Sequence, residues 1–240
     1  MALKAALFDV GDTLVEHFAD SRAISRKARE RLRATLGDPP WLDALLDADI
    51  EPPQAKVYWP SDAENERQET CAWYADWFRR GGHELDGLDV DRLRALLCVP
   101  LAEISEPVPG AFDVLRWCRS KGLRIVLVTN TLARGDEEAL ADWRGFGLAD
   151  VIDGIVSSHG TGWRKPHRAM FDRALAIAGA RPHEAVHVGD NLVADVWGAK
   201  RLGIRAVWRR VADPPQDVAA LPDAVIREMA ELPAVVERWL

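Results

Sequence analysis

The chain has 240 residues, 48% of them hydrophobic, and a formal net charge of −7. This suits one domain with a large insertion or two small domains, with enough apolar content for a packed core. With no basic run, nucleic acid is not an expected partner, and no apolar stretch reaches the ~18 residues of a membrane span.

Cys71, Cys98 and Cys118 lie far apart, are odd in number and form no C-x-x-C pair. That spacing predicts neither a zinc site nor a disulfide framework. The first residues run straight into an apolar stretch, so no signal peptide is expected. The expected compartment is a reducing cytoplasm.

Ala5 to Phe8 is a short apolar run, which predicts a strand buried on both faces. It delivers Asp9 to its carboxyl end, where open α/β sheets bind ligands; Gly11, Asp12 and Thr13 follow. Residues 15–106 read as helices only. Ser21 caps a predicted helix with Ile24, Ala28, Leu32 and Leu36 on one face, stopping at Gly37. Pro39 and Pro40 begin a short segment with Trp41, Leu42, Leu45 and Leu46. Ser61 and Glu64 have capping-box spacing, ahead of Cys71, Tyr74, Ala75 and Phe78 at helical spacing. Asp89 caps a further helix with Leu93, Leu96 and Leu97 inward. The expectation is an all-helical insertion of about four helices.

From Pro107 helices and strands alternate. Helices are predicted over 111–121 (Phe112, Leu115 and Cys118 inward), 136–146, 167–178 (Met170, Phe171, Ala174, Leu175 and Ala178 inward), 191–202 and 227–240. Strands are predicted over 125–128, 151–156, 185–188, 205–208 and 223–226. Parallel strands need crossovers, so this alternation implies a Rossmann-like α/β core, a parallel sheet with helices on both faces. Its expected extent is 1–14 and 107–240, with 15–106 as the inserted helical domain. Right-handed crossovers align the carboxyl ends of the strands on one edge. Asp9, Thr129-Asn130 and Gly189-Asp190 then share one cleft, which Lys165 and Asp195 can also reach.

Several carboxylates on one edge repel each other, by ~4 kcal/mol for a pair at 4 Å and an effective dielectric of 20. A divalent cation removes that repulsion, and all-oxygen ligands favour Mg2+ with waters and a substrate phosphate. Lys165 can hold Asp9 ionised and share a phosphate's charge. Thr129 and Asn130 can donate hydrogen bonds to phosphoryl oxygens.

The motifs Phe8-Asp9-Val10-Gly11-Asp12-Thr13-Leu14, Val128-Thr129-Asn130, Lys165-Pro166 and Gly189-Asp190 with Asp195 occur in this order. Together they resemble the haloacid dehalogenase-like hydrolase superfamily. The helical segment after the first motif resembles the cap domain of its phosphatase-rich subgroup. The resemblance implies a Mg2+-dependent phosphomonoester hydrolase acting on a small phosphorylated metabolite. In that reading Asp9 is the nucleophile and forms an aspartyl-phosphate that water hydrolyses. Thr129 and the Asn130 backbone bind the phosphoryl group, and Lys165 neutralises it together with Asp9. Asp9, Asp190 and the Gly11 carbonyl hold the metal, with Asp195 supporting the site. The chain would be a monomer or a homodimer.

One departure stands out. Family phosphatases usually carry a second Asp two residues after the nucleophile, as general acid and base, a role worth ~10²–10⁴-fold. Here that position is Gly11, with Asp12 one residue later. Either Asp12 reaches in, a cap residue or solvent serves, turnover is slow, or the leaving group needs no proton. The last case is dehalogenation, in which halide departs unaided; dehalogenases of the family need no metal and usually lack the Asp at 190. A low-activity or binding homologue is the other alternative. His17, close behind the first motif, is a cap-side acid or a surface histidine. His159 and His187 are most simply structural. Of the ten tryptophans, Trp59, Trp73 and Trp77 concentrate in the insertion with Tyr58 and Tyr74, as a packed core or as a wall that stacks on a ring-bearing substrate. Trp163, beside Lys165, is placed to touch substrate; Arg164 binds a second anionic group or is simply solvated.

Overall fold

Residues 2–18, 21–37, 90–131, 134–213 and 221–240 are described by a computed structural model. Six parallel strands form one sheet in the order β5-β4-β1-β6-β7-β8. They are β1 (Ala5–Phe8), β4 (Arg124–Thr129), β5 (Gly154–Ser157), β6 (Ala185–Gly189), β7 (Arg205–Arg209) and β8 (Ala224–Ile226). β1 lies between β4 and β6, and all four of its residues are apolar and fully buried. Its period-two alternation feeds two cores. Ala6 and Phe8 join the face covered by the helices Ala111–Ser120 and Asp136–Gly145 and by the C-terminal segment. Ala5 and Leu7 join the face covered by the helix Arg168–Ala178 and the segment after β6. On the first face Phe112, Trp143 and Phe146 pack as a triangle, with Phe112 edge-on to Trp143 at 5.8 Å.

The register places the chemistry. Phe8 pairs with Leu127 of β4 and Val188 of β6. Asp9, Thr129 and Asp190 therefore leave the sheet at nearly the same level on one edge. The Asp9 N–H still donates to the Val188 carbonyl at 2.9 Å, which ties the first loop residue to the sheet.

The segment expected to be purely helical is not. β2 (Val15–His17) and β3 (Ser105–Pro107) form an antiparallel pair, with Val15 opposite Pro107 and His17 opposite Ser105. This two-stranded sheet joins the segment's two ends. Each strand is only three residues long, too short to show a period of its own. The helices Ser21–Leu36 and Val90–Leu97 follow the expected faces, with Ala28 and Leu32 buried and Leu96 and Leu97 half-buried. The expectations at Pro39-Pro40, Ser61 to Phe78 and Asp89, and the aromatic cluster at Tyr58 to Trp77, lie outside the described residues.

Other expected boundaries shift for local reasons. The strand expected at 151–156 begins at Gly154, because the Asp153 carboxylate takes the Ile125 N–H and pairs with Arg119 and Arg124. The helix expected at 191–202 is a π-helix, Leu192–Trp197, running into Gly198–Lys200. Its wide turn shows in the Val196 N–H, which reaches back to the Asn191 carbonyl. The closing helix is broken into Met229–Glu231, Leu232–Val236 and Glu237–Trp239. Pro233 lies in the first turn of the middle piece, the one place a helix accepts it. A short helix, Ser158–Thr161, also follows β5. Among the described residues no helix is long and apolar enough to cross a membrane.

Candidate active site

Lys165 is the centre of the cluster. Only 1% of it is exposed. Its Nζ donates to Asp9 Oδ1 at 2.5 Å and to Asp195 Oδ1 at 2.6 Å. The lysine is aimed by Asn130. The Asn130 Oδ1 accepts the Lys165 N–H at 2.8 Å, and its Nδ2 donates to the Lys165 carbonyl at 3.1 Å. The side chain expected to face a phosphoryl group thus holds the Lys165 backbone.

Asp9 Oδ2 accepts from the buried Thr13 hydroxyl at 3.2 Å. Asp195 is fixed more heavily. Its Oδ1 also meets His187 Nε2 at 2.9 Å, and its Oδ2 accepts the Asn191 N–H at 3.1 Å. The π-helix gives it room to turn back towards the sheet, and Gly189 leaves the space it fills. A Cβ at Gly189 would lie 2.3 Å from Asp195 Cγ. Asp190 completes the group: one carboxylate oxygen each from Asp9, Asp190 and Asp195 lie within 4.8 Å of one another.

Three carboxylates therefore face one ammonium, an excess of two negative charges. The protonation equilibria carry that imbalance. Burial pulls Lys165 down, but Asp195 and Asp9 more than offset it and hold the ammonium raised. Burial opposes ionisation of Asp195 too, yet Lys165 and His187 hold it down to about 2. At Asp190 burial and the charges of Asp9 and Asp195 outweigh the pull of Lys165 and push it up to about 8. Burial, with Asp195 adding to it, also raises Asp9 against the pull of Lys165. A hard divalent cation fits this donor set, because it removes the repulsion that Lys165 leaves uncompensated.

A cavity of about 210 Å³ lies over these groups, and Gly11, Asp12, Thr129 and Asn130 line it as well. The structure thus brings together all eight residues read from the sequence. Thr129 is buried at the tip of β4. Asp12 is exposed, with a positive φ of 52°. Its carbonyl accepts from Arg209, a buried guanidinium at the end of β7 that also reaches Glu16. Gly11 has open space where a Cβ would stand. Trp163 stacks on His167 at 3.7 Å instead of lining this cavity. Three contributors were not assigned from sequence: Thr13 inside the first motif, His187 two residues before Gly189, and Arg209 at a strand's carboxyl end. Only the last carries a signal, since a charge that ends a buried strand reaches the same edge as Asp9.

A doubly covered parallel sheet with acids and a lysine gathered at its carboxyl edge marks an α/β enzyme of the hydrolase class. A family profile matches residues 3–203, and the chain belongs to the haloacid dehalogenase-like hydrolase family. It is 30% identical to a phosphoserine phosphatase of Thermus thermophilus, covering 96% of this chain and 98% of that one. It is 29% identical to a glyceraldehyde 3-phosphate phosphatase of Methanopyrus kandleri, over 98% of this chain and 97% of that one. Among solved structures, a 2-haloacid dehalogenase of Pseudomonas syringae matches with a TM-score of 0.67 and 25% identity, over 99% of this chain and all of that one.

Proposed function

We propose that the chain is a Mg2+-dependent phosphomonoester hydrolase acting on a small phosphorylated metabolite through an aspartyl-phosphate. The observation that carries this is the crowding at Lys165: three carboxyl groups share one ammonium, an arrangement that suits a divalent cation, and the cation in turn suits a phosphate. Relatives named as phosphatases over nearly the whole length support the same reading.

In this proposal Asp9 attacks phosphorus, one P–O bond forming as the bond to the leaving oxygen breaks. Lys165 keeps Asp9 ionised and faces the phosphoryl oxygens. Asp195 and His187 keep Lys165 in place, and Asn130 holds its backbone. Thr129 and the Asn130 backbone bind the phosphoryl group. Asp9, Asp190 and the Gly11 carbonyl would hold Mg2+, which supplies positive charge where the transition state gathers negative charge. Asp12 lines the phosphoryl cavity and is placed to handle the water that hydrolyses the intermediate. Residues 15–106 act as a cap over the substrate.

Dehalogenation uses the same nucleophile but gives Asp190 no task. Phosphate release from a panel of phosphomonoesters with Mg2+, lost on Asp9→Asn, is the expected result. Chloride release from a 2-haloacid without metal, with no phosphate release from any ester, would replace this reading.

A further inference from the structure

A second cavity, of about 370 Å³, adjoins the phosphoryl site and shares Gly11, Thr129 and Asn130 with it. The rest of its described wall is mostly apolar, with Val15, Ile24, Val99, Leu101, Ile104 and Trp143. In-line attack by Asp9 puts the leaving oxygen on the far side of phosphorus. Gly11, Thr129 and Asn130 are common to both cavities, so an ester whose phosphoryl group sits in the first has the second open to its alcohol half. Gly11 has no proton to give there, and Asp12 lines the first cavity but not the second.

Three titratable side chains line the second cavity among the described residues: His17, Cys98 and Arg134. Arg134 gives Nε to Asp142 at 2.5 Å and another nitrogen to the Val99 carbonyl, and a guanidinium does not release its proton in a protein. The Cys98 thiol donates to the Arg94 carbonyl at 3.4 Å, and burial pushes it above its ordinary range. His17 is the remaining group. It stands opposite Ser105 in the β2–β3 pair, and its Nδ1 lies 2.6 Å from the Ser105 hydroxyl oxygen. Ser105 is buried, so this bond fixes the ring while His17 itself stays exposed at the cavity. Glu16 and its partner Glu106 alternate to the other side of the two strands.

We propose that His17 is the proton donor to the leaving oxygen, replacing the acid that position 11 lacks, and that the ester it serves carries a compact, apolar-bodied alcohol. The assignment rests on the phosphatase reading above. In the acid form Nδ1–H donates to the Ser105 oxygen and Nε2–H faces the leaving oxygen. As the P–O bond breaks, its electron pair goes to that oxygen and the Nε2 proton follows. The alcohol departs neutral and the phosphoryl group stays on Asp9. Asp12, which lines the first cavity, then takes a proton from the water whose oxygen bonds to phosphorus, the bond to Asp9 breaks, and Nε2 regains its proton from solvent.

A general acid matters in proportion to the basicity of the leaving oxygen. An alkoxide is about as basic as hydroxide, whose parent water has a pKa of ~15.7, whereas a phenol ionises near ~10. The experiment compares wild type with His17→Asn on n-butyl and phenyl phosphate, with Mg2+. The asparagine amide can still pair with Ser105 but has no proton to transfer. The expected loss in kcat/KM is ~10²-fold or more on butyl phosphate and at most about tenfold on phenyl phosphate, whose turnover also shows that the variant folds. Adding Gly11→Asp, for which the loop has space, should restore butyl turnover at least about tenfold. Wild type should also prefer butyl phosphate to glycerol 1-phosphate by about tenfold, since buried hydroxyls without partners are penalised. Equal losses on the two esters, no loss, or a preference for glycerol 1-phosphate overturns the proposal alone. Wild-type silence on every ester overturns the phosphatase reading and this assignment with it.

Discussion

Lys165→Met keeps most of the side chain's length and removes its charge. Nζ lies 2.5 Å from Asp9 and 2.6 Å from Asp195, so two buried carboxylates lose their shared cation at once. Removing one partner of a buried pair costs about 3–5 kcal/mol, a large part of the 5–15 kcal/mol that holds a typical domain together. At about 2–4 °C per kcal/mol for a chain of this size, the melting temperature should fall by roughly 6–20 °C. The pH dependence has a definite sign. In wild type Asp195 is held down to about 2; its contribution is present above the ordinary carboxylate range and lost as pH falls through about 2. In the variant burial acts on Asp195 without Lys165, so its folded-state pKa moves up. Where burial then outweighs His187, that pKa passes the ordinary carboxylate range and the contribution is greatest at low pH and lost as pH rises. The gap between the two proteins must therefore widen from pH 5 to pH 8. Thermal melts in EDTA read this directly, and phosphate release with Mg2+ should fall by orders of magnitude. A variant within about 2 °C of wild type at pH 8, or a gap that narrows with pH, would refute the reasoning.

Asp190 is pushed up to about 8, so metal binding must expel its proton. Apparent Mg2+ affinity should rise about tenfold per pH unit below pH 8 in wild type and far less in Asp190→Asn, as read by calorimetry in buffers of different ionisation heat. Gly189→Ala places a methyl group 2.3 Å from the Asp195 Cγ. It should cost about 1–3 kcal/mol in denaturant unfolding and lower kcat, because Asp195 swings off Lys165; unchanged kcat would show that Asp195 does not position the lysine.

The parts of the fold that were legible are those where an apolar run stops at a polar residue: Phe8-Asp9, Val128-Thr129 and Gly189-Asp190. Fully buried strands rarely admit a polar residue without a buried partner, as His187 has in Asp195, so such stops mark the sheet's edge. The β2–β3 pair was hidden because its partners, Val15 and Pro107, are close only after the intervening segment has folded. The π-helix was hidden because Leu192, Val196 and Ala199 suit an ordinary helix equally well, and what widens it is Asp195 turning back to the sheet. The break near Pro233 was missed although its signal was present, since a proline inside a helical pattern belongs in a first turn. The role of Asn130 was not readable, because its link to the Lys165 backbone joins two loops that share no pattern. His17 had no visible partner in sequence; Ser105 becomes one only through the antiparallel register.

The same imbalance couples the chemistry to the fold. Asp190 binds its proton more tightly folded than unfolded, so its contribution is fullest below the ordinary carboxylate range and is lost as pH rises through about 8. Asp195 works in the opposite direction, but its contribution is already complete above the ordinary range. Between about pH 5 and pH 8 the slope of metal-free stability from this pair is therefore set by Asp190 and is downward. A cation or a proton at Asp190 relieves one repulsion, so each weakens the need for the other. Near pH 8 the site is poised to exchange one for the other. The acid cluster that makes this edge of the sheet unfavourable without a cation is what would hold one there, because Lys165 offsets the repulsion only in part.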